Sequence, residues 1–353
     1  MSEPEVLFDR IGHAGVMTLN RPKALNALNH GMVLAMADQL ERWAGDDAVR
    51  HVIVRGAGDR AFCAGGDIRK IYDQGMAGDP TRARFFADEY RLNVRIKRFP
   101  KPYIALIDGI VMGGGVGVSV HGSHRVGTER TTFAMPETGI GFFPDVGGSW
   151  FLPRMPQETG MMAALSAGRL KQADALWTGI LTHGIASTDM EALASALTET
   201  DAVDEVIAGF SRRHDAGAAP IAARAPRIAE IFGRASVAEI LEALDELAGA
   251  AGDPDADWAQ GLADTIRAKS PTSVMLAFQQ LRRGAELDFE ACMRLEYRIL
   301  SHILQGADFY EGVRAVIVDK DNAPRWSPTH LADVTEADIL AHFERPESGD
   351  LDV

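Results

Sequence analysis

P-Y-I-A-L-I-D-G-I-V-M-G-G-G-V-G, residues 102 to 117, is the stretch on which the fold turns. An apolar strand runs into a glycine cluster, and a helix is expected to follow from Gly115 to His121. Three consecutive glycines, Gly113 to Gly115, let the main chain approach a ligand with no Cβ in the way. At a helix start they suit amides that hold negative charge as it forms on oxygen. Close strand–helix packing is the other reading. The run does not fit the dinucleotide fingerprint, because Val118 stands where the third spaced glycine is needed, and it lacks the G-K-[ST] of a phosphate loop. G-V-S-V-H around Ser119 nearly matches a nucleophile elbow, but His121 stands where glycine is required.

A second glycine turn lies upstream. A-F-C-A-G-G-D-I, residues 61 to 68, passes from a strand through Gly65 and Gly66 into a helix starting near Asp67. Such a start leaves free N–H groups; Asp67 as a simple N-cap is the alternative. Cys63 reads as a small buried hydrophobe. Downstream comes M-P-E-T-G-I-G-F-F-P-D-V-G-G-S-W-F, residues 135 to 151. It sets Glu137 and Asp145 among apolar and small residues. Helix-terminus roles would account for each acid taken alone. Ile140, Phe142 and Phe143 favour function, since an apolar setting desolvates a carboxylate and raises its pKa. Acids beside exposed amides point to chemistry on a carbonyl group.

Outward from these segments, strands and helices alternate. Residues 5 to 20 read as two short strands around Gly12 to Gly15. Residues 29 to 44 are predicted helical, with Met32, Met36, Leu40 and Trp43 on one face. H-V-I-V-R-G, residues 51 to 56, is a buried strand, and residues 81 to 98 form an amphipathic helix. H-R-V-G-T and T-T-F-A-M are further strands. The alternation predicts an α/β core. From about Gly148 strand signals fade. Helices are expected over 157–167, 171–178, 188–196, 203–213, 236–249, 256–268, 272–282 and 289–304. Ser270-Pro271 is a good helix start. The acidic tail after Pro346 is expected to be mobile.

The chain has 353 residues, enough for a main domain and a sizeable appendage. Its net charge of −14 argues against nucleic acid or an anionic membrane as partner. A small anionic ligand needs only a local cluster, and Arg21 with Lys23, or Arg69 with Lys70, are candidates; solvated surface charge is the plain alternative. No apolar run reaches the roughly 18 residues that span a bilayer. The first residues do not read as a targeting segment. Cys63 and Cys292 do not make a disulfide framework. The expected compartment is the cytoplasm. His121 and His124 lack metal-ligand partners at useful spacing, and no metal or redox cofactor is implied.

These segments, in this order, resemble the crotonase (enoyl-CoA hydratase/isomerase) superfamily. L-N-R-P-K-A-L-N-A-L, residues 19 to 28, is similar to its N-terminal signature, and A-G-G-D-I and G-G-G-V-G to its two oxyanion-hole segments. M-P-E-T-G-I-G-F-F-P-D-V-G-G, S-V-H-G at 119 to 122, S-P-T-S at 270 to 273 and D-F-Y-E-G-V-R-A-V-I-V-D-K-D-N-A-P-R-W at 308 to 326 resemble its 3-hydroxyisobutyryl-CoA hydrolase branch. The resemblance implies a spiral of ββα units over residues 1–205, carrying the coenzyme A site and the catalytic residues, and a helical C-terminal region over 206–353. It implies that Gly66 and Gly114 supply the oxyanion-hole amides. Glu137 would attack the thioester or activate a water, and Asp145 would assist. Glu89 would contact substrate. Lys23, Ala24, Leu25, Ala64, Asp67 and Ile68 match segments lining the coenzyme A site. The expected partner is a small acyl-CoA ester. The superfamily forms trimers and pairs of trimers, so a homo-oligomer is open, though the longer C-terminal region here would cover that surface.

One departure bears on the reaction. Classical hydratases in this superfamily carry a glutamate three residues after the oxyanion glycine. Here that position is Gly117. Dienoyl-CoA isomerases, which share an Asp-Val-Gly like Asp145-Val146-Gly147, need an acid there too. The resemblance therefore implies thioester hydrolysis. The alternatives are a hydratase or isomerase of the same fold and, from another class, a silent acyl-CoA binding protein.

Overall fold

The structure is a computed structural model and describes residues 3–353. Its chain divides into two units. The first comprises residues up to Asp67, Phe85–Ala134 and Arg169–Ala222. The second comprises Ile68–Arg84, Met135–Gly168 and Ala223–Val353.

All ten described strands belong to the first unit. They are β1 (Val6–Ile11), β2 (Ala14–Leu19), β3 (His51–Gly56), β4 (Ala61–Cys63), β5 (Tyr103–Ile107), β6 (Ile110–Met112), β7 (His124–Gly127), β8 (Thr132–Ala134), β9 (Arg169–Lys171) and β10 (His183–Gly184). One sheet has the order β1-β2-β3-β5-β7-β10, and the other β4-β6-β8-β9. From β3 to β8 the strands come in pairs, and the first of each pair joins the larger sheet while the second joins the smaller. Helices follow β2, β4 and β6. This is the spiral of ββα units expected above.

Two-sided burial explains the sequence of the central strands. A parallel strand covered on both faces needs no polar alternation: β5 is apolar throughout, and β3 carries the unbroken buried run Val52–Val54. Ala14, Val16, Ile53, Ile104, Leu106 and Val126 line one face and pack beneath Leu193, Leu197 and Ile207. Gly15 belongs to the opposite face, where Trp43 of the helix His30–Ala44 lies so close that a Cβ would meet its ring at 2.7 Å. Asn29 caps that helix by accepting from Met32 N–H at 3.0 Å.

The described residues of the second unit are helical or irregular. The helix Pro271–Gly284 starts as its sequence demands: Ser270 Oγ accepts from Ser273 N–H at 3.1 Å, and Pro271 fills the first position. Phe289–Ile303 follows, capped by Asp288.

The structure corrects three expectations. Strands do not end at Gly148, since β9 and β10 lie beyond it; both are two or three residues long, too short for periodicity to register. A helix Pro220–Phe232 was missed because Pro226 sits inside it. The tail after Pro346 is anchored: Arg298 donates to Asp350 at 2.6 and 2.8 Å, and Leu351 is buried. Asp350 meets Arg298, 52 positions away in the sequence, a pairing that composition alone does not report.

Candidate active site

β4, β6 and β8 are parallel neighbours, with Cys63 opposite Val111 and Met112 opposite Ala134. Gly65-Gly66 follows the first, Gly113-Gly114 the second, and Met135-Pro136-Glu137 the third. The two glycine turns therefore leave one sheet at the carboxyl ends of adjacent strands, where parallel sheets place ligands.

Gly66 is held by a parallel bridge to Leu28. Leu28 N–H donates to Gly65 O at 2.8 Å, and Asp67 N–H donates to Leu28 O at 2.7 Å. That pattern uses the groups on either side of the Gly66 N–H and turns the N–H itself away. Gly65 has φ +117° and Gly113 has φ +48°, so both turns need a residue without a Cβ. A Cβ on Gly114 would collide with Glu89 Oε1 and would lie 3.3 Å from Gly66 N. Gly66, Gly114 and Glu89 thus border one small space. Glu89 is buried on the helix Arg84–Lys97, within the register of its apolar residues Phe86, Tyr90 and Ile96. Asn93, one turn further along the same face, is also fully buried.

The coenzyme A candidates of this unit gather at the other end of the bridge. Ala64 N–H donates to Leu25 O at 3.0 Å, and Arg21 donates to Asp67 at 3.0 Å. Lys23 and Leu25 border a cavity of about 190 Å³ that Asn26 and Arg60 also line. Arg60 and Asn26 were not singled out from the sequence. Of the two basic pairs, Arg21 is engaged by Glu5 and Asp67, and Arg69 by Asp73. Ala24 lies in the 3-10 turn Pro22–Ala24, whereas Ile68 opens a helix of the second unit. Ser119 Oγ donates to Gly115 O at 2.8 Å, a contact with its own helix. Cys63 is buried, and burial pushes its thiol up to about 12. His124 is held between Ser123 and Asp204.

Glu137 and Asp145 belong to the second unit and are both buried. Glu137 opens the 3-10 turn Glu137–Ile140, which two distant segments brace. Ser270 N–H donates to Thr138 O at 3.3 Å, and Ser270 Oγ donates to Asp308 at 2.6 Å. Gly141 lies against Asp308 O, and Gly312 against Ile140, too closely for a Cβ on either glycine. The S-P-T-S and D-F-Y-E-G motifs therefore act as supports for the Glu137 turn. Burial holds the Asp308 carboxyl above its ordinary range, against the hydrogen bonds from Ser270 and Ser327.

Asp145 precedes a strained turn. Val146 has φ +48° and Gly147 φ +88°, two consecutive left-handed residues, one of them β-branched. Gln280 donates to Pro144 O at 2.6 Å. Glu296, fully buried on Phe289–Ile303, accepts from Gly147 N–H at 2.8 Å, from Ser149 N–H at 3.0 Å and from Ser149 Oγ. Burial pushes the Glu296 carboxyl up to about 8 and the charge of Asp145 adds to this, against the hydrogen bonds from Ser149 and Gly147. Sequence reading overlooked Glu296, yet a signal was present. It occupies the apolar register of its helix, in line with Phe289, Cys292, Met293, Ile299 and Leu300.

The pattern of the enoyl-CoA hydratase/isomerase family matches residues 14–343. A zebrafish (Danio rerio) protein named "3-hydroxyisobutyryl-CoA hydrolase, mitochondrial" is 43% identical over 98% of this chain and 91% of its own length. The human (Homo sapiens) protein of the same name is 40% identical over 98% and 90%. Among solved structures, one described as a carnitinyl-CoA dehydratase from Mycobacterium thermoresistibile is 42% identical, with a TM-score of 0.91 and 98% of each chain covered. An enoyl-CoA hydratase from Rhodobacter sphaeroides 2.4.1 has the same TM-score at 34% identity, covering 99% of this chain and all of its own. These relatives overturn the expectation of a cytoplasmic protein, because the named hydrolases are mitochondrial. Composition carries no mark of compartment when a removable leader sets it. Among the described residues no helix is long and apolar enough to cross a membrane.

Proposed function

The chain belongs to the enoyl-CoA hydratase/isomerase family, and from that premise we propose that it hydrolyses an acyl-CoA thioester, 3-hydroxyisobutyryl-CoA, to the hydroxy acid and free coenzyme A. That reaction is a step of valine breakdown. The relatives' names divide between hydrolases on one side and a dehydratase and a hydratase on the other. Position 117 favours the first group. Adding water across a double bond in this family takes a second acid there, and this chain has a buried glycine at the end of the helix Gly114–Gly117. The acids that remain are Glu137 and Asp145.

In this reading the amides of Gly66 and Gly114 hold the thioester oxygen as it gains negative charge. One such donor is worth about 3 kcal/mol in the transition state. Glu137 delivers oxygen to the carbonyl carbon, by its own attack or by taking a proton from water. The C–S bond then breaks, with Asp145 passing a proton to the departing sulfur. In the water route the acyl group leaves as the carboxylate, and in the direct route it stays on Glu137 as a mixed anhydride until water cleaves it to the hydroxy acid and free Glu137. Glu89 beside Gly114 is the acceptor for the 3-hydroxyl. Lys23 and Arg60 supply positive charge for the phosphates of coenzyme A. The mechanism needs no metal or redox cofactor.

The test is a panel of acyl-CoA esters followed by thiol release, beside an ultraviolet assay for loss of enoyl-CoA. Wild-type protein releases thiol from 3-hydroxyisobutyryl-CoA and leaves enoyl-CoA unchanged. Glu137→Gln lowers release about 10²–10⁴-fold while ester binding persists. Near-normal turnover by that variant removes Glu137 from its role, and tight binding with no turnover of any ester by the wild type marks a silent binding protein.

A further inference from the structure

Glu296 is an ionisable residue at a position its helix reserves for apolar side chains. It has no exposure, and its two oxygens take three hydrogen bonds, all from the turn just after Asp145. A carboxylate in that setting costs stability unless its donors are well placed. An apolar residue at this position would leave the buried amides of Gly147 and Ser149 without an acceptor, so what the glutamate serves is the shape of this turn.

The shape itself is costly. Val146 is β-branched and left-handed, a conformation unfavourable for an L-residue. Strain of this kind persists when surrounding contacts over-determine it, and it concentrates at functional sites. Here the contacts come from both sides. Gln280 holds Pro144 O, before Asp145, and Glu296 holds the N–H groups of Gly147 and Ser149, after it. Gly284 lies so close to Ser149 O that no Cβ fits, which fixes the turn against the helix Pro271–Gly284.

We infer that Glu296 is the positioning residue for Asp145: it fixes the strained Val146-Gly147 turn through main-chain amides and so sets where the Asp145 carboxyl stands during the reaction. This rests on the reading of Asp145 given above. Glu296 itself touches no substrate. Glutamine is a poor replacement because its amide nitrogen would face an N–H that needs an acceptor.

A double-mutant cycle between Asp145 and Glu296 tests the inference, with kcat and KM for 3-hydroxyisobutyryl-CoA measured on Glu296→Gln, Asp145→Asn and the double variant. Glu296→Gln is expected to lower kcat at least tenfold with KM within threefold of wild type. In the Asp145→Asn background the same change is expected to cost less than twofold, because the group it positions is already disabled. Equal losses in both backgrounds mean that Glu296 supports the fold alone, and overturn the inference. A fully active Asp145→Asn variant removes the role of Asp145, and the inference with it, by a different readout. If Glu296→Gln does not fold, Ser149→Ala takes its place in the cycle, since it deletes one donor and leaves the carboxylate. Its smaller loss of kcat, about threefold, is expected to vanish in the Asp145→Asn background, and persistence there overturns the inference.

Discussion

Gly114 and Glu89 stand so close that the Cβ glycine lacks would strike the Glu89 carboxylate. The same Cβ would lie 3.3 Å from the Gly66 nitrogen. The requirement for glycine at position 114 is thus about an occupied space as much as about backbone freedom. Gly114→Ala is expected to displace Glu89 and narrow the gap between the two amides. With one donor of the pair disturbed, kcat/KM falls about 10²-fold or more. Thiol-release kinetics beside a thermal melt check this. Full activity in a folded Gly114→Ala protein would put the oxyanion elsewhere.

Ser119 offers the opposite expectation. Its one hydroxyl proton is shared between Gly115 O and Val116 O, in the helix Gly114–Gly117 just before it, a local bond from side chain to backbone. Ser119→Ala is expected to keep kcat within twofold. A loss of several orders of magnitude would identify a serine hydrolase and discard the carboxylate mechanism.

Lys23 and Arg60 border the cavity beside the Pro22–Ala24 turn. Hydrogen bonds to charged groups contribute about 1.5–3 kcal/mol, so removing one cation that meets a phosphate raises KM roughly tenfold or more. Lys23→Ala and Arg60→Ala are expected to do so while kcat holds. An acyl-pantetheine ester, which has no phosphates, should be indifferent to both changes. An equal effect on the two substrates would mean that the cavity serves the fold.

Much of this is legible in the sequence. The strand His51–Gly56 and the helix His30–Ala44 fall where apolar periodicity put them, because each has one dominant pattern and a clear boundary. The glycine turns at 65–66 and 113–114 were readable for the same reason: left-handed backbone leaves glycine little competition. What escaped was support at long range. Glu296 lies 147 positions from Ser149, and Asp308 lies 38 from Ser270. Local patterning carries no term for such pairs. The helix face on which Glu296 interrupts an apolar series carries a hint, and the motif around Asp308 marks the branch without saying what its residues touch. The structure supplies one, since both acids brace turns that hold the candidate catalytic carboxylates.

Glu296 also makes a prediction about pH. Its carboxyl is pushed from the ordinary value of 4.5 up to about 8, first by burial. Between those two values the folded protein holds a proton that the unfolded chain has released. Stability changes with pH in proportion to protons bound by the unfolded state minus those bound by the native state. That difference is negative for this group, so its contribution falls as pH rises from 4.5 to about 8 and levels off above. Replacing Glu296 by Gln removes the titration. The stability of the wild type minus that of Glu296→Gln, measured by denaturant unfolding from pH 5 to 9, is therefore expected to fall with rising pH and to flatten near the top of the range. A difference that stays constant would mean that Glu296 is ionised throughout, its three donors outweighing both burial and the charge of Asp145.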